Sequence, residues 1–185
     1  MADHTRLTAM HRLAFCLTLL AVCLCGCDQG TPQIGNTETV RISGQPFQLE
    51  LAMTNETRLR GLGGRASIAP DGGMLFIFPE ARMQRFCMRD CLTDMDIVYL
   101  DPLGYVTAMH TMSIEPPRKE GESDTEYEDR LPGYSSGYPA KFVIELAPGT
   151  AERIGIKRGE RVPDLDVDRL EALSKSAEAT RSIRR

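Results

Sequence analysis

The sequence of 185 residues contains no tryptophan and only three histidines, and two of those, His4 and His11, lie near the start. His110 is therefore the only histidine in the part of the chain that we expect to fold, which leaves few donors for a zinc site. Basic residues are not in excess, with 22 against 26 acidic residues and a formal net charge of −4. A chain of this charge has no general electrostatic reason to bind nucleic acid.

The first 26 residues have the pattern of a signal peptide. A basic start containing Arg6 and Arg12 precedes an apolar run at residues 13–25, and Gly26 follows directly. This run is too short for a membrane-spanning helix, and no second apolar segment of spanning length follows it. We therefore expect the remainder of the chain to be exported.

Residues 24–27, Leu-Cys-Gly-Cys, resemble a bacterial lipobox. The resemblance implies cleavage before Cys27 and a lipid on its thiol, so that acyl chains rather than a span would hold the protein in the cell envelope, facing the periplasm. The alternative is an ordinary secretory signal, with Cys27 left as a free thiol. Asp28 resembles the signal that retains some lipoproteins at the inner membrane.

The rest of the chain reads as one domain. Residues 27–38 are polar and predict a tether, and residues 39–163 predict a single β domain. Strand-like apolar runs occur at residues 39–43, 46–52, 73–78, 84–88, 96–101, 105–112 and 141–147. Because seven short strands come with few helices, we expect a mainly β fold, a compact antiparallel sandwich or barrel with one or two short helices. The predicted core is Leu49, Leu51, Leu75, Phe76, Ile77, Phe78, Ile97, Tyr99, Val106, Phe142, Ile144 and Leu146.

Two segments lie outside this core. Residues 115–133 are dense in acidic side chains, and we interpret them as a solvated acidic loop. In residues 164–185, the spacing of Leu165, Leu170 and Leu173 predicts a C-terminal helix, followed by a basic tail.

Five ordered blocks of sequence, residues 61–65, 72–80, 85–101, 138–146 and 147–162, resemble the family catalogued as domain of unknown function 192. The resemblance implies a small, jelly-roll-like β domain and no established activity. The chain departs from the family pattern in several places: Cys87 stands where the family commonly has tryptophan, Cys91 where it has threonine, and Asp94-Met95-Asp96 where it has Pro-Leu-Asp, and the acidic loop is longer than is typical. Any family-wide role of that tryptophan does not carry over.

The pair Cys87 and Cys91 allows several chemistries. In an extended strand their Cα atoms would lie roughly 13 Å apart at ~3.3 Å per residue, whereas a disulfide requires less than about 7 Å. The chain must therefore bend at Arg89 and Asp90 before a disulfide can form. We favour a disulfide in an oxidising envelope over two free thiols. A metal or redox site is weakly indicated, because the Cys-x-x-Cys spacing is missing, so we assign no metal and no cofactor.

Polar residues inside the blocks provide a candidate ligand-binding surface: Arg65, Met88, Arg89, Asp96 and Glu145. The two acids interrupt apolar strands, and a buried carboxylate must be paired, hydrogen-bonded or solvated. The groups could form salt bridges that fix the strand register, or line a pocket for a small molecule. We expect a membrane-anchored domain that binds a small ligand or assists another envelope protein, without being an enzyme. The alternatives are a hydrolytic or thiol-dependent envelope enzyme and a purely structural lipoprotein.

Residues 133–137 match Gly-x-Ser-x-Gly, the nucleophile motif of many hydrolases. That motif needs a strand before the serine and a helix after it. Here an acidic segment precedes Ser135 and a strand follows it, so we do not assign catalysis to Ser135 or to His110.

Overall fold

Six strands form a single sheet in the computed structural model, which describes residues 37–183. The strands are β1 Thr37–Ile42, β2 Gln45–Ala52, β3 Gly72–Phe86, β4 Met95–Leu100, β5 Val106–Met112 and β6 Tyr134–Leu146. The helices are α1 Asn55–Arg60, α2 Asp124–Arg130, α3 Thr150–Ile154 and α4 Val167–Ile183. The predicted signal peptide, the lipidation site at Cys27 and nearly all of the tether lie outside the described residues.

The strand order is β1-β2-β3-β6-β4-β5, and the sheet does not close into a barrel. The expectation of a mainly β domain is confirmed, but the sheet is mixed: β2 and β3 pair in parallel, while the other pairs are antiparallel. Parallel neighbours require a crossing connection. The segment that contains α1 supplies it between β2 and β3.

Both faces of the sheet are buried under apolar side chains. Successive residues of a strand point to opposite faces. Leu75 and Ile77 therefore belong to a first core cluster on one face of the sheet, and Phe76 belongs to a second core cluster on the other face. This explains the continuous apolar run in β3, which lies in the middle of the sheet. Every predicted core residue is buried except Phe78, which is half-buried and packs against the second cluster.

The predicted C-terminal helix is confirmed as α4, which packs on the first face of the sheet. Leu165 and Leu170 are buried in that cluster, and Leu173 packs against it. The carboxylate of Glu171 pairs with Lys141 on β6 at 3.1 Å. Across residues 37–183, no helix is both long enough and apolar enough to span a bilayer.

The expectation that residues 115–133 form only a solvated loop is wrong, because residues 124–130 fold as helix α2. Ser123 caps the helix: its hydroxyl accepts from the backbone N–H of Glu126, whose carboxylate accepts from the backbone N–H of Ser123. Tyr127 is 1% exposed and anchors the helix to the domain. One aromatic side chain thus docks a segment whose composition is that of a loop.

Candidate functional site

A cleft of about 520 Å³ opens between α1, the second half of β3 and α2. Its wall is rich in arginine and also carries three carboxylates, two phenylalanine rings and both cysteines. These lining residues are Arg58, Arg60, Arg82, Arg85, Arg89, Glu80, Glu128, Glu145, Phe78, Phe86, Cys87 and Cys91. The cleft therefore combines charged groups on its walls with partly apolar surfaces, as small-molecule sites commonly do.

The first wall is α1, whose ends are fixed by local sequence. Thr54 caps the helix in a reciprocal arrangement with Thr57. Gly61 ends it with φ +54°, a conformation that side chains other than glycine rarely adopt. A Cβ at Gly61 would lie 3.2 Å from Glu145 Oε2 and 3.3 Å from Phe76 Cζ, so glycine also leaves space for the carboxylate.

Glu145 lies near the end of β6 and is only 5% exposed. Its Oε2 accepts a hydrogen bond from the backbone N–H of Leu62 at 3.1 Å, which ties the segment after α1 to the sheet. Burial raises the pKa of this carboxyl to about 7, because the charged form loses its hydration, and the Leu62 N–H and the charge of Arg65 oppose that rise only partly. The acid is therefore poised to change protonation near neutral pH.

The arginines differ in how they are held. Arg58 donates to the carbonyl oxygens of Met53 at 2.7 Å and Ile77 at 2.9 Å, with its guanidinium 5.5 Å from the centre of the Phe78 ring. Arg85 packs so closely over Gly133 that a Cβ at that position would require its guanidinium to move, and it donates to the Leu131 carbonyl at 3.4 Å. Contacts to backbone carbonyl oxygens thus orient both guanidinium groups.

Arg89 joins α2 to the cleft. Its guanidinium pairs with Glu128 of α2 and donates to the Leu59 carbonyl at 2.9 Å. The hydrogen bond from Arg89 to Glu128 raises the pKa of the guanidinium further, so this side chain stays charged. Beside it, the Tyr127 hydroxyl accepts from the backbone N–H of Asp90 at 3.1 Å.

Arg118 and Arg130 stack on the ring of Tyr127, with guanidinium carbons 5.1 Å and 4.8 Å from its centre. Arg130 also pairs with Glu122 at 2.7 Å. These contacts join α2 to the residues directly before it in the chain.

The chain between the cysteines bends where the sequence required a bend. Asp90 has φ +55°, and the backbone N–H of Cys91 donates to the Met88 carbonyl at 3.4 Å, which closes a turn at Arg89 and Asp90. Cys87 and Cys91 are free thiols in the structure. Burial, followed by the nearby charge of Glu145, raises the pKa of the Cys91 thiol to about 12, so it is not a thiolate at neutral pH. The disulfide stays a prediction.

Of the five residues predicted as a ligand surface, Arg89 and Glu145 line the cleft and the other three do not. Arg65 forms a two-point ion pair with Glu50, at 2.5 and 2.7 Å. Met88 is buried in the second core cluster.

Asp96, the remaining predicted residue, is 1% exposed and accepts from the Thr111 hydroxyl at 2.9 Å and from the backbone N–H of Ala151 at 2.7 Å. It pins the start of α3 to the sheet. The register-fixing interpretation therefore suits Asp96.

Sequence reasoning missed most of the cleft arginines: Arg58, Arg60, Arg82 and Arg85. Arg58 and Arg60 lie on α1, which only the tertiary fold brings beside β3. Alternation along β3 could not have placed Arg82 and Arg85 on one side, because irregularities in the pairing with β6 interrupt the register between Ile77 and Arg82 and between Met83 and Arg85. Glu128 was counted in the acidic loop, so its pairing with Arg89 was not expected.

Ser135 and His110 contact each other, but not as a nucleophile and base. His110 Nε2 lies 2.8 Å from the backbone carbonyl oxygen of Ser135 rather than from its hydroxyl. Ser135 lies within β6, with no helix directly after it, and neither residue lines the cleft. Within residues 37–183, no three histidine, cysteine, aspartate or glutamate side chains are grouped to hold a metal ion.

Two solved structures resemble the domain. A candidate transcription regulator from Sinorhizobium meliloti 1021 is 28% identical with a TM-score of 0.53, and the match covers 68% of this chain and 88% of that one. A protein of unknown function from Novosphingobium aromaticivorans DSM 12444 is 25% identical with a TM-score of 0.55, covering 68% and 81% respectively.

The search of curated proteins found no match. The model of the family DUF192, described as "Uncharacterized ACR", matches residues 38–163, which is more than half of the chain. That span contains all six strands apart from the first residue of β1, together with every residue that lines the cleft. The chain therefore belongs to the DUF192 family.

Proposed function

We propose that this chain is an envelope-facing domain, held at a membrane by a lipid on Cys27, that binds a small anionic ligand in the cleft. The observation that carries the binding proposal is the set of five arginines around one cavity, against three carboxylates. The signal-like start and the lipobox-like residues 24–27 support the location.

The charge balance within the cleft favours an anion. Glu128 pairs with Arg89, and Glu80 pairs with Arg82 at 2.8 Å. Arg85 forms no ion pair with any residue in the described part of the chain, and its only hydrogen bond there is a long one to a backbone carbonyl. A guanidinium offers a planar fork of N–H donors that suits carboxylate and phosphate groups. Arg85 is therefore the group we expect to contact the ligand anion.

A titration of the full chain with inorganic phosphate tests this proposal. We expect saturable binding that shifts the backbone amide signals of residues 61–63 and 85–91, measured by nuclear magnetic resonance. Arg85→Ala should weaken binding by about tenfold or more, because a hydrogen bond to a charged group contributes about 1.5 to 3 kcal/mol.

Arg158→Ala is the matched control. It removes the same charge from an arginine that lies 5.1 Å from the Tyr138 ring and does not line the cleft. Phosphate affinity should be unchanged in this variant. If the wild-type chain shows no saturable binding, or if both variants weaken it equally, the cleft is not an anion site.

A further inference from the structure

Asp96 and Glu145, two buried acidic residues of the sheet, differ in how many of their carboxylate oxygens accept a hydrogen bond. Both carboxylate oxygens of Asp96 accept hydrogen bonds, one from a side chain and one from the backbone. Glu145 uses only Oε2, for the Leu62 N–H, and Oε1 accepts no hydrogen bond from any residue between 37 and 183. A carboxylate that served only to fix the fold would be expected to resemble Asp96, because an unpaired buried charge is costly.

The open oxygen of Glu145 faces the cleft. No side-chain oxygen or nitrogen that is fully closed off from solvent lacks a partner within the described residues. Glu145 itself is among the residues that line the cavity. Oε1 therefore keeps some contact with solvent, and the cavity that Glu145 lines is the route by which we expect a ligand to reach it.

The charge of Glu145 is also not neutralised by a direct partner. The positive charge of Arg65 lowers the pKa of Glu145, but the Arg65 guanidinium forms its bidentate ion pair with Glu50. The other titratable groups that interact with Glu145 are the Cys91 thiol on the turn and the Tyr99 phenol on β4. Neither group can carry a positive charge, and because burial raises the pKa of both, both are uncharged at neutral pH.

We propose that Oε1 of Glu145 is a subsite for an ammonium group, and that the ligand is a small zwitterion whose anionic group meets Arg85 at the rim. This inference rests on the proposed function, since it adds a second contact to the same bound molecule. An ammonium group supplies both the positive charge and the N–H donor that Oε1 lacks. A metal ion fits less well, because no group of three or more histidine, cysteine, aspartate or glutamate side chains among the described residues could hold one.

The test compares ω-aminoalkyl phosphates of graded length with alkyl phosphates of the same lengths, each titrated into the full chain by calorimetry. We expect at least one aminoalkyl phosphate to bind about tenfold or more tightly than its alkyl counterpart. Glu145→Gln keeps an acceptor for the Leu62 N–H but removes the charge. It should abolish the difference in affinity between the paired probes, whereas Arg85→Ala should weaken the binding of both probes.

A measurement on the wild-type chain avoids any dependence on how well the variants fold. Carbon-labelled glutamate allows the Glu145 carboxyl to be titrated by nuclear magnetic resonance, with and without each probe. The ammonium probe should lower the pKa of Glu145 from its value of about 7, because a bound cation favours the charged form.

The two proposals fail in different ways. Equal affinities for both kinds of probe, together with an unchanged Glu145 pKa, would overturn the ammonium subsite and leave the anion site standing. Absence of binding by every probe would overturn the anion site, and the subsite with it.

Discussion

The carboxyl group of Glu145 makes the stability of the domain depend on pH. Its pKa is about 7 when folded, against 4.5 for an ordinary glutamate. As the pH rises from 4.5 to 7, the unfolded chain releases a proton that the folded chain retains, so the unfolding free energy falls. The fall amounts to roughly 3 kcal/mol at 1.36 kcal/mol per pKa unit and is complete above the folded pKa.

We therefore expect wild-type protein to lose more stability between pH 5 and pH 8 than Glu145→Gln, as measured by denaturant unfolding. Glu120→Gln is the control, since Glu120 is exposed in the segment before α2. That variant should keep the wild-type loss. Parallel pH profiles for wild-type protein and Glu145→Gln would show that Glu145 is already ionised in the folded state at pH 5.

The two cysteines allow a direct redox test. The turn at Arg89 and Asp90 supplies the bend that a disulfide requires, and we expect the exported protein to contain the bond. Peptide mass mapping should then show alkylation of Cys87 and Cys91 only after reduction. Closing so short a loop should add about 1 to 2 kcal/mol to the unfolding free energy. Labelling of both thiols without reduction would contradict the prediction.

At the scale of single elements, the residues that form turns and helix caps can be recognised from the local sequence. Ser43 and Gly44 have φ +47° and +80° and form the tight turn between β1 and β2. The Thr54 cap and the Gly61 end of α1 could also be read directly, because caps depend on a few neighbouring residues. The runs at 73–78 and 84–88 were predicted as separate strands, but they belong to β3, which continues through an irregular stretch.

Helix α2 shows why the sequence alone did not predict every element of the fold. The acidic composition of its segment indicated a solvated loop, although Ser123 and Glu126 have the spacing of a capping box. What decides the outcome is tertiary contact: Tyr127 is buried and Glu128 reaches Arg89. Neither contact could be read from the segment alone, because the partners lie far away in the sequence.

We expect Tyr127→Ala to release α2 while leaving the sheet intact. The change removes a buried ring and the acceptor for the Asp90 N–H, so it should lower the unfolding free energy by about 3 kcal/mol or more if α2 unfolds with the domain. Hydrogen exchange by mass spectrometry should show faster exchange in residues 115–131 and unchanged protection in β3 and β6. Tyr138→Ala is the matched control, because Tyr138 is 55% exposed; equal exchange in the two variants would contradict the anchoring role.

At the scale of the whole molecule, the apolar pattern established the mainly β class but not the direction of pairing. Period-two alternation reports which face a residue occupies, and it is the same for a parallel and an antiparallel partner. The connection between β2 and β3 is long and contains a helix, which is the one local sign of a crossing. Because the apolar pattern does not give the strand order, the sequence could not show that Glu145 lines the cleft while Arg65 and Asp96 do not.

The proposed location of the protein in the cell envelope rests on a lipid at Cys27. We expect Cys27→Ser to prevent lipid attachment and to move the protein from the membrane fraction to the soluble fraction of the cell envelope. Mass spectrometry of the mature N-terminus and fractionation of cells measure the two effects. Asp28→Ser is a useful comparison, since it should leave lipidation intact and affect only which membrane holds the protein. A Cys27→Ser protein that stays in the membrane fraction would contradict the lipid anchor.

The central pairing of β3 with β6 has a consequence for how the domain folds. It joins residues as far apart in the chain as Gly73 and Leu146, and the parallel pairing of β2 with β3 adds another distant contact. High contact order slows folding, typically to milliseconds or seconds. Since Glu145 lies at the end of β6, the floor of the cleft is completed only when the last strand joins. Ligand binding would therefore report that the entire sheet has assembled.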